Sequence, residues 1–151
     1  MKNILQLEVR EAFAKRLERL TEETPRQWGT MNATQMLAHL NEAFRIALGM
    51  KSARDLSTWF SRNVMFPIAI YVLPKFPKNL KGPREQDIIK SNIETKDFYT
   101  ELAFLLKFME ILSEREDGKF KSHPLFGALN KTEWANLFTK HIDHHFKQFG
   151  I

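Results

Sequence analysis

The 151-residue chain contains no cysteine. Disulfides, thiolate metal sites and cysteine nucleophiles are therefore excluded, and the absence fits a reducing compartment. It also lacks a long hydrophobic run. The longest apolar tract, VMFPIAIYVL at residues 64–73, is too short for a membrane span and is interrupted by Pro67. The opening MKNILQLEVREAF has no apolar signal core and no small-residue cleavage site, so the expected location is cytoplasmic and membrane-free. Nor is there β-alternation or an internal repeat, which argues against a sheet fold and a solenoid. No dense basic helix is present. The formal charge of +5 is spread over scattered lysines and arginines, which disfavours nucleic acid as a partner but suits attraction of small anions.

What is present is a helical pattern. The length is that of one domain, residues 1–151, and is sufficient to bury a core without cross-links. A first helix is predicted over residues 4–22, with Leu5, Val9, Phe13, Leu17 and Leu20 on one face and Pro25 as its terminator. Asn32 with Gln35 reads as an N-cap and capping-box partner for a second helix from Ala33 to Leu48, stopped by Gly49. Residues 56–72 have helical propensity, with Pro67 breaking or kinking them. Pro74, Pro77, Gly82 and Pro83 mark an irregular connection. Lys75, Lys78, Lys81 and Arg84 make residues 75–84 basic, either as a solvated run or as a place beside an anionic ligand. A third helix is predicted to begin between Glu85 and Asp97 and to end near Glu114. The fourth starts at Asn130, with Glu133 as its capping partner, and ends at Gly150. The expected fold is an all-α four-helix bundle with long connections.

The fourth helix carries three of the five histidines, at positions 141, 144 and 145. His141 and His145 stack one turn apart, on or beside the stripe formed by Trp134, Phe138, Ile142 and Phe149. Imidazoles turned into an aromatic face need partners, and a metal ion supplies one to each ring. His39, at the edge of the second helix's apolar face, is the strongest third ligand. His144 turns toward the polar border. His123 reads as a structural or exposed group, Gln148 as a group hydrogen-bonding near His145 or to another helix, and Glu42 as a surface glutamate or, alternatively, a proton carrier or acceptor beside His39. Trp28, Trp59 and Trp134 read as packing anchors. Ile142 stands where the glutamate of an HExxH zinc protease is required, which excludes that route.

QMLAHL at residues 35–40, HPLFG at residues 123–127 and HIDHHFKQFG at residues 141–150 resemble the DinB-like (YfiT-like) metalloenzyme superfamily. The segment from Trp28 to Met31 is similar to the W-G-x-M stretch of one of its bacterial branches. The resemblance implies a four-helix bundle of DinB/YfiT-like type, and a divalent transition metal, nickel or zinc, held by three histidines that map to His39, His141 and His145. It also implies a small-molecule substrate. Some relatives are transferases that use a low-molecular-weight thiol, others look like hydrolases or isomerases, and bundles of this type include homodimers.

An ion of this kind lowers the pKa of a water or thiol. Two functions follow: a metal-dependent transferase or hydrolase, or a non-catalytic helical binding or structural protein with packed core histidines. The sequence names no general base; Asp143 points away from His141 on the helix.

Overall fold

The computed structural model describes residues 1–78, 88 and 93–151. The chain forms an all-α arrangement of packed helices with long connections, compatible with a helix bundle: α1 (Leu7–Leu17), α2 (Ala33–Ala47), α3 (Phe98–Glu114) and α4 (Lys131–Gln148). α2 packs most extensively against α3 and also against α4, while α1 contacts α3. Among the described residues the only β-pairing is an isolated bridge between His123 and Gly127. No helix among them is long and apolar enough to cross a membrane.

The two helices that carry the candidate ligands have matching ends. At the start of α2 the Asn32 side chain accepts from Gln35 N–H and the Gln35 side chain accepts from Asn32 N–H. Asn130 and Glu133 repeat that reciprocal box at the start of α4. Each box satisfies donors that a helix start leaves orphaned. Both helices close in a Schellman pattern. Met50 N–H bonds to the Arg45 carbonyl and Gly49 N–H to Ile46 in one, Ile151 N–H to Phe146 and Gly150 N–H to Lys147 in the other.

The core lies where α2, α3 and α4 meet. Phe44 of α2 stacks on Phe138 of α4 at 3.8 Å between centroids, and Trp134 stacks on Phe138 at 5.3 Å. Trp134, Phe44, Phe138 and Phe146 are fully buried. Beside this apolar block sits a polar clamp: Asn41 Nδ2 donates to the Glu101 carboxylate at 2.7 Å and to the Glu101 carbonyl at 2.8 Å, both residues being buried. The clamp fixes α2 against α3 and so sets the depth of His39.

Three expectations need correction. α1 ends at Leu17, well before residue 22, and Pro25 plays no part in stopping it. Arg19 N–H and Leu20 N–H bond three residues back, to Arg16 and Leu17, so the chain tightens out of the α-helix while Leu20 still reaches the core. Pro67 does not break the helical run around it; its backbone is helical (φ −56°, ψ −42°), lying between π-helical stretches Ser61–Met65 and Ile68–Val72. Trp59 is 74% exposed rather than packed, whereas Trp134 is buried as expected. α3 starts at Phe98 behind an Asp97 cap. Lys81 and Arg84 of the basic stretch lie outside the described residues.

Candidate metal centre

α4 delivers His141 and His145 one turn apart, and α2 delivers His39 opposite them. His39 Nε2 lies 3.0 Å from His141 Nε2, and His145 Nε2 lies 3.1 Å from the same atom. The three candidate ligand nitrogens all fall within 4.8 Å of one another. Two nitrogens on a tetrahedral zinc with bonds of about 2.0 Å sit ~3.3 Å apart, so the two short separations are close to those of a shared ion. His145 is buried, while His39 and His141 keep partial exposure.

The tautomer of His145 follows from its neighbours. Gln148 Nε2 donates to the Trp28 carbonyl at 2.8 Å, and that oxygen can only accept. The Gln148 amide is thereby oriented, and its Oε1 faces His145 Nδ1 at 2.8 Å. Nδ1 must carry the proton, so Nε2 offers its lone pair toward His141. Gly29 makes this possible. Its φ is +81°, and a Cβ there would stand 2.5 Å from Gln148 Nε2.

Burial pushes the His141 imidazole well below its ordinary value of 6.5, and the neighbouring His145 and His39 rings push it further. His145 is depressed in the same way, by burial first and then by His39, with the Gln148 hydrogen bond opposing. Neutral imidazoles are the metal-binding form. The convergence also fits poorly without a cation, because a single N–H on His141 Nε2 cannot point squarely at both neighbouring nitrogens. The donor set, all imidazole nitrogen, suits zinc, nickel, copper or iron rather than magnesium or calcium.

The other candidates fall into different roles. His144 is half-buried, hydrogen-bonds to the Phe76 backbone, and meets the Trp28 ring at 5.8 Å and the Phe76 ring at 6.2 Å. His123 is buried against Phe126 and Trp134, and its Nδ1 accepts from Leu125 N–H and Phe126 N–H, a structural role as expected. Burial lowers its pKa to about 4. Glu42 is not the proton carrier suggested by its position after His39. Its carboxylate is buried between Arg45 and Lys51, and both oxygens are engaged there. Asp143 does point away, toward Arg16 and Lys147. Sequence reasoning missed the Trp28 carbonyl, whose role leaves no signal in the tryptophan side chain.

A family model described as "Protein of unknown function (DUF1569)" matches residues 1–150. Neither a curated protein nor a solved structure matches the chain.

Proposed function

The chain belongs to the DUF1569 family of proteins of unknown function, and from that premise we propose that it is a divalent-metal-dependent enzyme acting on a small molecule. His39, His141 and His145 hold the ion, which is zinc or nickel. The observation that carries this reading is the convergence of the three ligating nitrogens within 4.8 Å, drawn from two helices about a hundred positions apart. A divalent ion bound there supplies Lewis acidity toward a water or a thiol. The chain's own residues do the rest. Gln148 holds His145 in its ligating tautomer, burial favours the neutral form of His141 and His145, and the partly exposed edges of His39 and His141 admit the reactant. The reaction class is transfer to a low-molecular-weight thiol or hydrolysis, on a bundle of the DinB/YfiT-like type forming one domain over residues 1–151.

Metal analysis of protein purified without a histidine tag tests the ligand set. Near-stoichiometric zinc or nickel is expected, with about tenfold or greater loss of affinity in each of His39→Ala, His141→Ala and His145→Ala, and a small effect for His144→Ala. No metal under several metal supplies would favour a helical protein with packed histidines instead. Turnover is then sought in a substrate screen run with and without a thiol.

A further inference from the structure

A second constellation lies beside the histidine cluster, at the C-terminal end of α4. A cavity of about 790 Å³ opens between residues 27–28, residues 74–78 and the last turn of that helix. Its size suits a small organic molecule. Trp28, Phe76 and His144 give it flat unsaturated walls, inclined at 63° and 54° about the imidazole. Lys75, Lys78 and Lys147 give it positive charge, and among the described residues no Asp or Glu lines it.

The charges are placed to be used. Lys78 Nζ stands 4.5 Å from the centroid of the Trp28 ring, so an aromatic face holds it, and it pairs with no carboxylate among the described residues. Lys147 does pair with Asp143, but Asp143 is shared with Arg16 at 2.8 Å, which offsets its charge. The Ile151 carbonyl oxygen beside the cavity is likewise taken by Arg16. Ammonium groups next to apolar walls attract an anion more strongly than the same groups in open water. Lys140 fixes this loop against α4 by donating to the carbonyls of Ala69 and Leu73, so the wall carrying Phe76 is anchored to the helix that carries His144.

We propose that this cavity binds a small organic anion with a planar or apolar body, its body lying against Trp28, Phe76 and His144 and its carboxylate or phosphate-type head meeting Lys75 and Lys78. The cavity is coupled to the histidine cluster through covalent and hydrogen-bonded links. The Trp28 carbonyl holds Gln148 and Gln148 holds His145, so a ligand against Trp28 lies two hydrogen bonds from a candidate metal ligand. The His144 ring also stands 5.1 Å from that of His145. Assigning this anion as the substrate rests on the metal-dependent reading above, whereas its binding does not.

Calorimetric titration of the full chain with phenylphosphonate, benzyl alcohol and inorganic phosphate tests the proposal. Phenylphosphonate is expected to bind one to one, about tenfold or more tighter than either control, since only it carries both body and head. The double variant Lys75→Glu/Lys78→Glu should weaken it about tenfold or more, as should Trp28→Ala, which keeps the carbonyl that holds Gln148. Circular dichroism checks folding, and the exposed lysine pair decides the matter if the tryptophan variant does not fold. Binding should persist in His141→Ala. No binding up to about 10 mM, equal binding of the controls, or indifference to the lysine variants would each overturn the proposal. Loss of binding in His141→Ala would overturn it too, by assigning the anion to the metal, and would leave the metal-dependent reading standing. Binding to a chain that takes up no metal would uphold the cavity and remove only the substrate assignment.

Discussion

Gln148 illustrates how one side chain governs a site it does not enter. Replacing it with leucine keeps the volume but releases His145 from its tautomer, and metal affinity should fall by about 10- to 100-fold with the helix content unchanged. Competition against a chromogenic chelator measures this. Gly29→Ala should act on the same contact from the other side. The new Cβ meets Gln148 Nε2 and the backbone sits at φ +81°, so both stability and metal affinity should drop. His123 carries a separate, pH-dependent effect. Its pKa falls from 6.5 in the unfolded chain to about 4 in the fold, so the unfolded state takes up the proton first on acidification. Its contribution is therefore fully present above pH 6.5 and is lost progressively as pH falls toward 4, by about 3 kcal/mol in all. In His123→Asn, whose Oδ1 can accept the same two backbone N–H groups, urea midpoints between pH 7 and 4.5 should decline less steeply than in the wild type. The pairing of His141 and His145 was legible in the sequence because their spacing and their place on or beside an aromatic stripe are local facts. The fate of Glu42 was not, because Lys51 reaches it from beyond the helix end.

The helix starts were the most readable elements. A capping box is written in four consecutive residues, and both NATQ and NKTE form it as expected. Asn32→Ala and Asn130→Ala should each cost about 1 kcal/mol of stability in chemical denaturation, additively since they cap different helices. Helix ends and the middle segment were harder. Leu20 continues the apolar period of α1 although the backbone has already tightened into three-residue turns, so periodicity overran the helix. Around Pro67 the hydrogen bonds shift to a wider register, with Leu73 N–H bonding to the Ile68 carbonyl. A π-helical stretch has no apolar period that sequence reading would find, and the missing proline N–H does not interrupt it. The basic stretch was assigned a charge run but not its neighbours, and it is the neighbours that give Lys75 and Lys78 a cavity to face.

Taken as a whole, the molecule gathers its functional parts from segments far apart in the chain: residues 27–29, His39, residues 74–78 and the end of α4. Such meetings have no local signature, which is why the fold class, the clustering imidazoles and the Gln148–His145 contact were readable while the cavity and the Trp28 carbonyl that orients Gln148 were not. If the cluster binds an ion, the ion also holds α2 to α4 and stabilises the folded state by mass action. At a metal concentration about a thousandfold above the dissociation constant the gain is about 4 kcal/mol. For a chain of this length that raises the melting temperature by roughly 10 °C. A chelator should reverse the shift, and His145→Ala should not show it.

The central claim is that three imidazoles share one ion, and X-ray absorption at the metal edge of the loaded protein tests it most directly. The account expects three histidine nitrogens at about 2.0–2.1 Å, with the outer scattering of three imidazole rings in the wild type and of two in His145→Ala. A wild-type spectrum with fewer than three imidazoles, or one unchanged by the substitution, would contradict it.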